Sequence, residues 1–180
     1  MQKDKFNMAI VVVGCLLLAV CSVGVSKVLY SGSLDSIYYL GAIVLLGSLI
    51  FSIIYLALGY SKGFSDLYKT AVSLGALNAL FATVSATNEA NNYIAIMMCA
   101  ISFGLYVLLA FAKDLGKTKS YIFCAIIIAC RLAGLIANTI SYGSIVDEHS
   151  ILIAGQFALA LTIFIATIAK YIDKAERGTK

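Results

Sequence analysis

Apolar residues fill this chain in long runs, and short polar stretches interrupt them at nearly even intervals. Six runs of 18 residues or more can be marked, at about 8–29, 37–60, 69–86, 93–112, 121–142 and 151–171. A helix rises about 1.5 Å per residue, so roughly 20 apolar residues cross the ~30 Å hydrocarbon layer of a bilayer. The pattern predicts an all-α integral membrane protein: one domain over residues 1–180, built as a bundle of six transmembrane helices. The connections are too short for a separate soluble domain, and they make consecutive helices antiparallel neighbours.

The polar punctuation supports these limits. Tyr30, Tyr38, Tyr39, Tyr60, Tyr68, Tyr93, Tyr121, Tyr142 and Tyr171 fall at span ends, where an interfacial aromatic belt belongs, and Tyr55 and Tyr106 fall deeper. Lys3, Lys5, Lys62, Lys69, Lys113, Lys117, Lys119, Lys170, Lys174, Arg177 and Lys180 all reach one side of the membrane. The other side has Lys27 among the acids Asp35, Glu89, Asp147 and Glu148. The positive-inside rule then puts both termini in the cytoplasm. The closing KYIDKAERGTK reads as a last helical turn running on into water.

Within the spans, small and polar residues recur at helical spacing. The third span carries Ala71, Gly75, Asn78, Ala82 and Ser85 on one face, the second Gly41, Ser48, Ser52, Tyr55 and Gly59, and the fourth Ala95, Cys99, Ser102, Tyr106 and Ala110. The sixth carries Gly155, Ala158, Thr162, Ala166 and Ala169, with Gln156 on a neighbouring face. Small residues let helices approach closely in lipid, so these stripes predict the inward faces. A weak similarity relates spans two to four and spans four to six, with Asn78 and Arg131 in corresponding middle helices.

Arg131 is the residue that most needs an explanation, because it sits near the middle of the fifth span. An arginine there costs about 2.5–3.5 kcal/mol on insertion scales, and such residues face protein or water. Cys124, Ile127, Gly134 and Asn138 share its side of the helix, beside a strip of small residues at Cys130, Ala133, Gly134 and Ala137. No Asp or Glu lies in any span. The guanidinium must therefore meet carbonyls, hydroxyls, amide oxygens, water, lipid phosphate or a bound anion. Three readings stand. Arg131 is locked into a structural polar network, or it holds a carboxylate or phosphate in an outward-opening pocket with Asn78, Asn138, Gln156 and Tyr106 as neutral neighbours, or it serves in lipid contact or gating.

Composition agrees with the pattern and removes several function classes. The chain is 62% hydrophobic and 12% charged, with no Pro or Trp, and its mean hydropathy is +0.98. The net charge of +4 is distributed by topology, so it gives no reason to expect nucleic acid. Cys15, Cys21, Cys99, Cys124 and Cys130 fall inside apolar runs without a CxxC pair and read as reduced packing residues, so no metal or other cofactor is expected. The sole histidine, His149, reads as an outer-loop residue. Without a nucleophile elbow, an intramembrane histidine or paired carboxylates, the chain is not expected to be an enzyme. Val12–Gly14 before Cys15 has the form of a lipoprotein cleavage site, but the apolar run continues to Leu29, so a retained span is expected.

Six spans in about 180 residues with both termini inside resembles, in length and topology, the substrate-binding components of energy-coupling-factor vitamin importers. No sequence motif accompanies the resemblance, and no binding residue follows from it. The reading is a multi-pass protein of the lipid bilayer, in a bacterial cytoplasmic membrane, that serves as a small-molecule binding or transport subunit. It would take a small anionic or polar ligand and work with a membrane protein partner or as a homo-oligomer. The alternative is a noncatalytic scaffold or immunity-type subunit of a membrane complex.

Overall fold

The computed structural model describes residues 36–59, 65–88, 93–112, 115–142 and 148–178. The first expected span, 8–29, with its cleavage-site pattern, lies outside the described residues. Five helices follow in order: α1 Ser36–Ile54, α2 Ser65–Asn88, α3 Tyr93–Phe111, α4 Lys117–Tyr142 and α5 Glu148–Gly178. All five are long and apolar enough to cross a membrane. They match the five later runs with small shifts. The largest is at the end of α5, which runs on to Gly178 rather than stopping at 171, and its start at Glu148 takes the backbone of His149 into the first turn rather than a loop.

Each helix packs on the next, and α5 returns to close the bundle against α1 and α2. The side-chain bonds give the direction of each pairing. Ser48 meets Ala71 while Gly41 meets Asn78, so rising numbers on α1 go with falling numbers on α2. The pairs Ser120–Tyr171, Cys124–Thr167 and Arg131–Gln156 show the same antiparallel order for α4 and α5.

The small-residue stripes are the inward faces. Ser48, Ser52, Ala71, Asn78, Ser102, Tyr106, Ala158, Thr162 and Ala166 are all buried. Bulky residues point the other way, among them Ile43, Ile50 and Ile54 on α1, Ile94, Met97 and Ile101 on α3, and Ile122, Ile126 and Ile136 on α4. A bundle with hydroxyls inside and isoleucines outside is built for lipid, since apolar side chains gain little by leaving hydrocarbon. Most of the inward hydroxyls are satisfied locally: Ser52, Ser102, Thr162 and Thr167 each donate to the carbonyl four residues earlier, whereas Ser48 donates across to Ala71 O. Gly75 marks the tightest approach. A Cβ there would lie 3.1 Å from Ile163 Cδ1 and 3.6 Å from both Ser48 Oγ and Tyr106 Cε1, so α1, α3 and α5 converge on this point of α2.

At the lysine-bearing end, α1 loosens into a five-residue π turn, Tyr55–Gly59. Tyr55 packs on Tyr68 with ring centroids 5.6 Å apart. Tyr68, expected in the interfacial belt, is instead only 1% exposed. Its hydroxyl lies 2.9 Å from Thr167 Oγ1, and Lys170 Nζ sits 4.3 Å from its ring centroid. Because Thr167 gives its proton to Ile163 O, Tyr68 must donate to Thr167, and so must the Cys124 thiol at 3.6 Å. Thr167 thus ties α2 and α4 to α5. Close by, Tyr171 donates to Leu115 O at 2.7 Å, which leaves Ser120 to donate to Tyr171.

Candidate functional site

Arg131 projects from α4 into the bundle and is 4% exposed. Its face of α4 is set by the helical period: Ile127 and Cys124, one and two turns earlier, are buried on the same side. The adjoining strip behaves differently from the expectation that it packs closely. Gly134 has nothing within 4 Å of where a Cβ would stand, and Ala137 is exposed. Gly134 therefore makes no tight helix contact among the described residues.

The guanidinium is held by two neutral groups. Nη1 donates to Gln156 Oε1 at 2.9 Å and to Cys99 Sγ at 3.3 Å, so one nitrogen bridges α3, α4 and α5. Nη2 is buried and has no hydrogen-bond partner among the described residues. Such a group forfeits its hydration without replacement, and for a charged donor this costs more than the 1–3 kcal/mol typical of a neutral one. Tyr106, 2% exposed, stands within electrostatic reach of Arg131, and the Cys130 thiol lies against the Ser102 hydroxyl in the same neighbourhood. No carboxylate is paired with Arg131 among the described residues.

Of the five residues singled out in the sequence, the structure brings Arg131, Gln156 and Tyr106 together. Asn78 is engaged elsewhere: its Nδ2 donates to Gly41 O on α1 at 2.9 Å. The Asn138 side chain lies outside the described residues. Asn78 and Arg131 do share one habit, since each reaches back to the preceding helix, α1 in one case and α3 in the other. Cys99 is the contact that sequence reasoning passed over as packing. It stands on the stripe of Ser102 and Tyr106, and that was the available signal.

Cys99 is the seventh residue of α3 and Gln156 the ninth of α5, so the site lies toward the end of the bundle that carries the 89–92 and 143–147 connections. The lysines of the described helices, Lys69, Lys117, Lys119, Lys170 and Lys174, lie at the opposite end. The arrangement can hold a hydrogen-bond acceptor at Nη2, most favourably a charged one. Among the described residues it offers no general base and no cluster suited to a metal ion. No family model matches the chain, no curated protein matches it, and no solved structure matches it.

Proposed function

We propose that this chain is a noncatalytic small-molecule binding or transport subunit, with a polar intramembrane pocket around Arg131. In this reading 8–29 adds a sixth span, both termini are cytoplasmic, and the host membrane is a bacterial cytoplasmic membrane. The subunit works with a partner protein or as an oligomer. The lysines gathered at one end support the orientation. The observation that carries the pocket is the Arg131 side chain: a buried cation whose Nη2 has no partner among the described residues and whose other contacts are neutral. A buried charge kept at this cost, with no carboxylate paired to it among the described residues, supports a site that receives an anion.

The test is the native mass of the gently extracted protein, wild type against Arg131→Ala. A small-molecule mass carried by the wild type and lost in the variant supports the pocket.

The second reading is a scaffold or immunity-type subunit, and the three-helix bridge made by Arg131 Nη1 favours it. Under that reading the wild type carries a protein partner and no small ligand, and Arg131→Ala lowers the yield of folded protein or of complex.

A further inference from the structure

The charge and donor count at Arg131 narrow the ligand class. Resting on the pocket reading above, we infer that the ligand is a singly charged organic carboxylate with an apolar body, and not a phosphate dianion or a zwitterionic amino acid.

Three observations lead there. The first is charge. Arg131 supplies a single positive charge, and none of its described contacts carries another. In a medium of low dielectric, one negative charge neutralises it, while a dianion leaves a net negative charge with nothing to oppose it. The second is donor geometry. Nη1 is already committed to Gln156 and Cys99, so the guanidinium edge formed by Nη2 and Nε is the one left for a ligand. One such edge pairs with two oxygens, which suits a carboxylate and leaves the third oxygen of a phosphate without a charged donor. The third is the lack of any group for an ammonium. A zwitterion would bring a second cation beside Arg131, and no carboxylate stands among the described neighbours to receive it. The surroundings are weakly polar thiols, hydroxyls and ring surface: Cys99, Cys130, Ser102 and Tyr106. They favour an apolar body next to the charged head.

A carboxylate of this kind reaches the site from water as a short-chain acid or from the bilayer as a fatty acid. Both share the chemistry that Arg131 reads.

A matched series tests the inference on the full chain in lipid nanodiscs, with melting temperature as the readout. The probes are hexanoate, hexanamide, hexyl phosphate and norleucine, with oleate incorporated in the lipid. Hexanoate at saturating concentration is expected to raise the melting temperature by about 5 °C, with hexanamide, hexyl phosphate and norleucine giving no comparable rise. A larger effect from oleate than from hexanoate assigns the bilayer as the source, and the reverse assigns water.

The rise should vanish in Arg131→Gln. It should vanish also in Gln156→Glu, which keeps the bridge between α4 and α5 while supplying the missing negative charge, so the test survives if Arg131→Gln fails to fold. Stabilisation by hexanamide equal to that by hexanoate overturns the inference. Stabilisation by hexyl phosphate or norleucine instead, dependent on Arg131, overturns it also but leaves the pocket standing. No stabilisation by any probe, together with no small-molecule mass on the extracted protein, removes the pocket reading and the inference with it.

Discussion

Arg131 on α4 and Gln156 on α5 meet through a 2.9 Å hydrogen bond in which a charged donor is answered by a neutral amide oxygen. The bond orients the guanidinium without neutralising it. Replacing Gln156 by Leu removes an acceptor from a buried cation, and the expected loss is about 1.5–3 kcal/mol, the range for hydrogen bonds to charged groups. Replacing it by Glu keeps the geometry and turns the bond into an ion pair, so the empty protein should become more stable than wild type. Reversible unfolding in mixed micelles measures both. A Gln156→Glu protein less stable than wild type would show that Arg131 already has a counter-ion.

The Tyr68–Thr167 bond offers a second measurement. Thr167→Val leaves the Tyr68 hydroxyl and the Cys124 thiol without their acceptor, whereas Tyr68→Phe removes one donor and leaves Thr167 bonded to Ile163 O. Thr167→Val is therefore the costlier single change. The double-mutant cycle should give a coupling of about 0.6 kcal/mol and at most about 1.7, the range found for interhelical bonds in membranes. A coupling near zero would mean that the pair contributes position and not energy.

Two glycines in different surroundings should respond in opposite ways. Gly75→Val drives a branched side chain into Ile163, Ser48 and Tyr106, and overpacking of this kind costs about 1–3 kcal/mol. Gly134→Ala enters open space and is expected to change stability by no more than about 0.5 kcal/mol. Folded yield and melting temperature of the two variants check this directly. Comparable damage at both positions would mean that another segment covers Gly134.

Orientation is testable with single cysteines in a chain whose five native cysteines are replaced by alanine. Tyr93 and Thr118 are both exposed and lie at opposite ends of the bundle. Tyr93→Cys should react with a membrane-impermeant maleimide in intact cells, and Thr118→Cys only after permeabilisation. The reverse result would invert the topology.

Helix limits and inward faces were legible in the sequence because both follow from one-dimensional periods. Run length sets a span, and the small-residue stripes of Ser48 and Ser52, of Ala71 to Asn78, and of Ser102 and Tyr106 set its buried side. The partners were not legible, because the period gives a residue's face and depth but not the neighbour it meets. Asn78 shares depth with Arg131, yet it turns to α1 and bonds Gly41 O. Tyr68 stands at a span end like the other belt tyrosines, but it points inward under Lys170, since Thr167 offers its hydroxyl an acceptor there. Gly134 looked like a contact residue, yet no described neighbour comes within 4 Å of where its Cβ would stand.

The placement of bulky side chains has a thermodynamic consequence. Ile43, Ile50, Ile101, Ile126 and their like already face outward, so separating the helices within a bilayer transfers little apolar surface to water. Hydration of newly exposed apolar surface is what gives soluble domains a large heat-capacity change on unfolding and a dome-shaped stability curve. Here that source is missing. Helix separation should show a heat-capacity increment near zero, its free energy should fall along a nearly straight line with temperature, and cooling should never loosen the bundle.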